Sequence, residues 1–175
     1  MRKLLVEEMG RVSIDEFKEL PKFPYIVILN NIRSLNNVGS FFRTCDAFKA
    51  SKLVLGGYTP TPPHREISKS ALGAENSVDW EKIENLSEYV MNLKQEGYLV
   101  VAVEQAEDSV LLQNFAPRNS EKYAFIFGNE VEGVSEDLMS ICDICLEIPQ
   151  FGTKHSLNVS ISAGIILWSF VSAKI

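Results

Sequence analysis

A chain of 175 residues, 46% hydrophobic and 23% charged, is long enough for one domain with a buried core. That make-up excludes a disordered tail, a collagen-like polymer and a disulfide-stapled miniprotein. Seventeen Lys and Arg against 23 Asp and Glu leave a formal charge of −6, which as a chain average argues against a nucleic-acid binder.

The charge is unevenly distributed along the chain. Residues 25–74 carry six basic and two acidic groups, whereas residues 75–149 carry four basic and sixteen acidic ones. The first 24 residues balance at five each, and residues 150–175 add two lysines. The amino end, MRKLLVEEMGRV, meets two glutamates before any apolar run develops, unlike a targeting signal. Residues 1–24 are expected to form a small appendage docked on a domain spanning 25–175. Three cysteines fit a reducing compartment, and the cytoplasm is the expected location.

In chain order, YIVIL (25–29), KLVL (52–55), YLVVAV (98–103), YAFIF (123–127) and ICLEI (144–148) read as strands. They are short, rich in β-branched and aromatic residues, and apolar on both faces, as central strands of a parallel sheet are. Between them, 38–48 places Val38, Phe41, Phe42, Cys45 and Phe48 at helical spacing on one face. The stretches 86–96 and 156–172 also read as helices, with Gly97 ending the first. The apolar run 161–173 is too short for a membrane span, which needs ~20 residues. Such alternation predicts an α/β domain, a mostly parallel sheet with helices on both faces. In open sheets of this kind sites form beyond the carboxyl ends of the strands.

Three segments at such ends carry the polar and glycine-bearing residues. In NNIRSLNNVGSFFRTCDAF (30–48), four asparagines and an arginine crowd a loop before a helix that opens near Asn37. Asn37 is placed to cap that helix, whose free N–H groups also suit an anion. Arg43 and Asp46 are spaced to pair on its surface. In FGNEVEGVS (127–135), Gly128 stands where a ligand approaches backbone closely and Ser135 precedes a short helix; the lysine of a phosphate loop is missing. In LEIPQFGTKHSLNVSISAGIILW (146–168), Pro149 ends a strand, Gly152 supplies a turn, and Ser156 and Asn158 open the last helix. Ser160, Ser162, Ala163 and Gly164 suit close packing of that helix. Taken singly, each segment also reads as ordinary turn and capping chemistry.

Together the three resemble the signature motifs of the SpoU, or TrmH-like, branch of the SPOUT RNA methyltransferases. The chain has Asn37 and Arg43, then Asn129–Glu130 with Gly133, then Ile148–Pro149 and Ser156–Leu157–Asn158, in that order. The stretch PPHREISKSALGA (62–74) resembles the family's connection between its first two motifs.

The resemblance implies an α/β fold with a C-terminal trefoil knot, a homodimer, and 2′-O-methylation of a ribose in tRNA or rRNA with S-adenosylmethionine as donor. It places the cofactor near Gly128, Asn129, Ile148, Leu157, Glu104 and Gln105. It places Asn37, Arg43, Glu130, Ser156 and Asn158 around the ribose. Arg33, His64, Arg65, Lys69 and Lys154 are the basic and polar groups expected on the RNA. A guanidinium, whose pKa exceeds ~12, is a poor free base. Arg43 is therefore expected to hold a phosphate and stabilise the developing alkoxide. The IPQFG…SLNVS stretch (148–160) resembles members acting on a guanosine of the tRNA D-loop. The alternative is an RNA-binding or assembly factor that keeps the fold without catalysis. A base methyltransferase of another SPOUT branch is disfavoured by the Asn–Arg first motif.

Other patterns carry less. Cys142 and Cys145 form C-x-x-C with no second pair, so buried thiols and no metal are expected. His155 has no acid at a hydrolase-like spacing.

Overall fold

The computed structural model describes the backbone of residues 1–175. Seven strands form one sheet: β1 (Phe23–Asn30), β2 (Ala50–Gly56), β3 (Trp80–Ile83), β4 (Tyr98–Val103), β5 (Val110–Leu111), β6 (Lys122–Phe127) and β7 (Ile144–Glu147). Their order is β3-β2-β1-β6-β4-β7-β5, and every pairing is parallel. The α-helices are α1 (Ile14–Glu19), α2 (Leu35–Ala47), α3 (Arg65–Ala71), α4 (Leu86–Gln95), α5 (Glu136–Met139) and α6 (Val159–Ser172).

The continuous apolar strands of the sequence are buried on both sides. In β1, Tyr25, Val27 and Leu29 join one cluster with Phe41, Phe42 and Phe170 of α2 and α6. Ile26 and Ile28 join another with Leu86, Val90 and Leu93 of α4. This is the period of two of a strand covered by helices on both faces. Phe170 anchors α6 edge-on to Tyr25, Tyr123 and Phe125, with centroids 5.1, 5.2 and 5.4 Å away. Such aromatic contacts add to the burial of the rings themselves.

Two strands and two helices, α1 and α3, have no counterpart among the elements expected from sequence. WEKI (80–83) is half-buried at the sheet edge and mixes charge with apolar residues, β5 has two residues, and α3 is short and polar. The start of α2 also differs. Its N-cap is Ser34, whose Oγ accepts from the Asn37 N–H at 3.3 Å. Asn37 lies inside the helix, buried. Asp46 accepts from Ser77 Oγ at 2.6 Å instead of pairing with Arg43.

The order of the strands gathers the motif-bearing loops. β1, β6, β4 and β7 are neighbours and parallel, so their carboxyl ends line one edge of the sheet. The segments after them, beginning at residues 31, 128, 104 and 148, leave from that edge side by side. Because β4 lies between β6 and β7, the chain after β6 crosses β4 to reach its place. Ahead of the sheet, Phe17 is the buried residue of α1.

Candidate active site

Where these segments meet, a cleft of about 410 Å³ opens. Val103, Phe127, Leu146 and Val159 form apolar wall, and Glu104, Gln105, Asn129, Glu130, Gln150, Ser156 and Asn158 bring polar groups to it. Gly128, Ile148 and Leu157 line it as well. All six residues that the resemblance placed on the cofactor, Glu104, Gln105, Gly128, Asn129, Ile148 and Leu157, face this one space.

The turn after β6 is built by its own hydrogen bonds. Asn129 N–H donates to Gly133 O at 2.9 Å, and Gly133 N–H to Asn129 O at 3.0 Å. Asn129 Oδ1 accepts from the Val131 and Glu132 N–H groups, while its Nδ2 donates to Asn31 O and to Tyr58 Oη, both at 2.7 Å. Gly133 has φ +72°, and a Cβ there would lie 2.3 Å from Glu104 Oε2. That Glu104 oxygen instead accepts the Val134 N–H at 3.1 Å. The reason for Gly128 differs from the expected one: a Cβ would meet Gly133 C and Val134 N at 2.1 Å. Its missing side chain admits the turn itself rather than a ligand.

Glu130 joins this turn to the first motif. Its Oε2 accepts from Arg33 N–H at 3.1 Å, and its Oε1 from Ser34 N–H at 3.1 Å and Asn37 Nδ2 at 2.9 Å. Asn37 Oδ1 in turn accepts from Asn158 Nδ2 at 3.2 Å. Asn158 Oδ1 caps α6 by accepting from Ser160 N–H at 2.9 Å and Ser160 Oγ at 2.6 Å. Asn158, Asn37 and Glu130 thus form a relay from the last motif through the first to the second. Partial burial would raise the Glu130 pKa, but the donors from Arg33, Asn37 and Ser34 outweigh it and hold the carboxyl below its ordinary range. Ser156 faces the cleft in the exposed segment 151–158.

Arg43 is not in this cleft. Six residues beyond Asn37 on α2, it lies ~9 Å farther along the axis and ~120° around it. It is exposed and lines a second cleft of about 310 Å³ with Arg11, Ser13 and Phe17 from the amino-terminal segment and Asp46 and Ser77 from the domain. Among the proposed RNA contacts, Arg33, Arg65, Lys69 and Lys154 are exposed. Lys69 sits 3.7 Å from the Glu66 carboxylate. His64 is engaged as a cap, its Nδ1 accepting the Glu66 N–H at 3.2 Å.

Some supports of the site have no motif to announce them. Buried Asn30 accepts the Ser135 N–H at 2.8 Å through Oδ1. Buried Thr59 accepts the Ile32 N–H at 3.0 Å. The four crowded asparagines were the available signal for Asn30, since amides beyond a buried strand must find partners. Cys142 and Cys145 are half-buried rather than buried as expected, and only Cys45 is fully buried. Partial burial with Asp143 nearby still pushes the Cys142 thiol up to about 11, away from a poised nucleophile.

An all-parallel sheet whose carboxyl edge carries this relay and cleft defines an α/β enzyme-type site at a strand-end crevice. The chain belongs to the SpoU rRNA methylase family, which it matches over residues 24–168.

It is 34% identical over 147 residues to the tRNA (guanosine(18)-2′-O)-methyltransferase TARBP1 of Mus musculus, covering 83% of this chain and 9% of that one. To the 23S rRNA (guanosine-2′-O-)-methyltransferase RlmB of Neisseria meningitidis it is 30% identical over 153 residues, 87% of this chain and 60% of the relative. The chain therefore spans less than two thirds of these relatives. The AdoMet-bound rRNA methyltransferase of Sinorhizobium meliloti superposes with a TM-score of 0.78 at 26% identity, over 87% of this chain and 58% of that one.

Proposed function

We propose that the protein transfers a methyl group from S-adenosylmethionine to the 2′-oxygen of a ribose, of a guanosine in tRNA or rRNA. The observation that carries this is the Asn158–Asn37–Glu130 relay at the rim of a cleft sized for a small ligand. The names of the relatives support RNA as substrate and guanosine as target, and the bound AdoMet of the solved neighbour supports the donor. The cleft fits that donor: apolar wall suits an adenine, and the Glu104 and Glu130 carboxylates on its lining suit a cationic sulfonium. When bound, S-adenosylmethionine supplies an electrophilic methyl carbon, which leaves sulfur as the new C–O bond forms.

The chain's own residues have three tasks. Val103, Leu146 and Val159 exclude water from one side of the cleft. Glu130, by gathering three donors, fixes the 31–34 loop and the start of α2 against the cleft. Arg43 holds the phosphate next to the ribose and stabilises the alkoxide, the 2′-proton passing to that phosphate or to water. Positioning of this kind accounts for several kcal/mol of a barrier.

The working unit is a homodimer. Within one protomer Arg43 lies outside the cleft, so a partner is needed to bring the two together. Ile161, Ile165 and Trp168 present an exposed apolar stripe on α6, the helix packed on α2, and a second copy is its natural cover. The crossing after β6 is where the chain would be tied in the family's knot. Incubation with labelled S-adenosylmethionine and total RNA, followed by nucleoside digestion, is expected to yield 2′-O-methylguanosine. No transfer to any RNA would favour a binding factor without catalysis.

A further inference from the structure

Tyr58 follows β2 in a loop that is held at every turn, yet its side chain is left open. It is 57% exposed. Its hydroxyl accepts from Asn129 Nδ2 at 2.7 Å, and its backbone N–H donates to Asn31 Oδ1 at 3.1 Å. The loop around it is equally fixed. Gly57 has φ +58°, and a Cβ there would fall 1.9 Å from Asn31 Oδ1. Lys82 Nζ donates to the carbonyls of Gly57 and Thr59, and Thr59 is buried.

A large aromatic ring with both ends tied and much of its surface bare has already lost its rotamer freedom. It is preorganised to receive a flat partner at low additional cost. Its anchor, Asn129, is the residue before Glu130. Exposed Arg33, His64 and Arg65 belong to the same basic stretch of chain. We propose that Tyr58 is a stacking platform for an unpaired base of the RNA, beside the ribose that is methylated. Every base offers a π-face, so such a contact sets affinity for unstacked RNA more than sequence preference.

The inference rests on the RNA methyltransferase reading, and the test separates the two. Initial rates of transfer from labelled S-adenosylmethionine to total RNA are titrated for wild type, Tyr58→Phe, Tyr58→Leu and Tyr58→Ala, with the dissociation constant for S-adenosylmethionine measured alongside. Expected are a rise in apparent KM for RNA of no more than about threefold in Tyr58→Phe, which keeps the ring and loses one anchor, a rise of about tenfold or more in Tyr58→Leu and Tyr58→Ala, and cofactor affinity within twofold throughout. If Tyr58→Phe fails together with Tyr58→Ala, the hydroxyl on Asn129 is what counts and the stacking role is overturned. Wild-type KM in all three variants overturns it too, while leaving the methyltransferase intact. A wild-type protein that transfers nothing removes the function and this role with it.

Discussion

Asn37 Nδ2 donates to Glu130 Oε1 at 2.9 Å across 93 residues of chain. With the Arg33 and Ser34 N–H groups on the same carboxylate, this contact makes the second motif the organiser of the first. Hydrogen bonds to a charged acceptor are the stronger kind. Glu130→Gln replaces one acceptor oxygen by an NH₂ that faces donors. The expected result is a loss of transfer of about tenfold to a hundredfold, with faster amide exchange over residues 31–37. Unchanged exchange in that loop would contradict the organising role.

The same carboxylate fixes the sign of a pH effect. Its pKa is lowered on folding, so its contribution to stability is complete above the ordinary glutamate value of 4.5. That contribution is lost as pH falls through the lower folded value. The loop is therefore expected to stay protected through neutral pH and to loosen only in acid, with that component of the acid dependence absent in Glu130→Gln. Exchange measured from pH 7 down to pH 3 checks this.

Arg43 lines a different cleft from the residues proposed to hold the cofactor. Arg43→Ala is expected to lower transfer by about a hundredfold to a thousandfold, as loss of a transition-state donor does, with little change in S-adenosylmethionine affinity. Calorimetric titration alongside the rate assay decides it. Equal loss of cofactor binding would put the guanidinium in the cofactor pocket after all.

Gly133→Ala combines a positive φ with a Cβ 2.3 Å from Glu104 Oε2. The variant is expected to lose about 1–3 kcal/mol of stability and to bind S-adenosylmethionine more weakly, because Glu104 lines the cleft. Thermal unfolding with and without the cofactor measures both.

Trp168→Glu places a charge in the exposed stripe of α6. A rise in the dimer dissociation constant of about thirtyfold or more is expected, the weight of an interface hot spot, with transfer falling in step. Sedimentation across a concentration series tests it. A variant that is monomeric yet fully active would overturn the shared site.

The parts of the fold legible in sequence were those with one dominant cause. β1, β4 and β6 are nearly uniform apolar runs buried on both faces, and α4 ends at Gly97, whose φ is +84°. WEKI was not legible because an edge strand needs no continuous apolar run and its pairing with β2 is a tertiary fact. The cap of α2 is Ser34, three residues before Asn37, and both residue types cap well enough that sequence does not choose between them. Asn37 is claimed instead by Glu130, which sequence distance conceals. That Glu104, Gln105, Gly128, Asn129, Ile148 and Leu157 share one cleft accords with the grouping the resemblance implies. The separation of Arg43 from them follows from helix geometry, and the anchoring of Tyr58 from contacts among loops far apart in sequence.

The relay also bears on synthesis. Its members stand at positions 37, 130 and 158, and the last of them caps the terminal helix. A nascent chain with its first six strands in place would hold neither the closing wall of the cleft nor the third partner of the relay. Competence of the proposed site would then arrive only as α6 docks, so the proposed transfer would also report that α6 is in place.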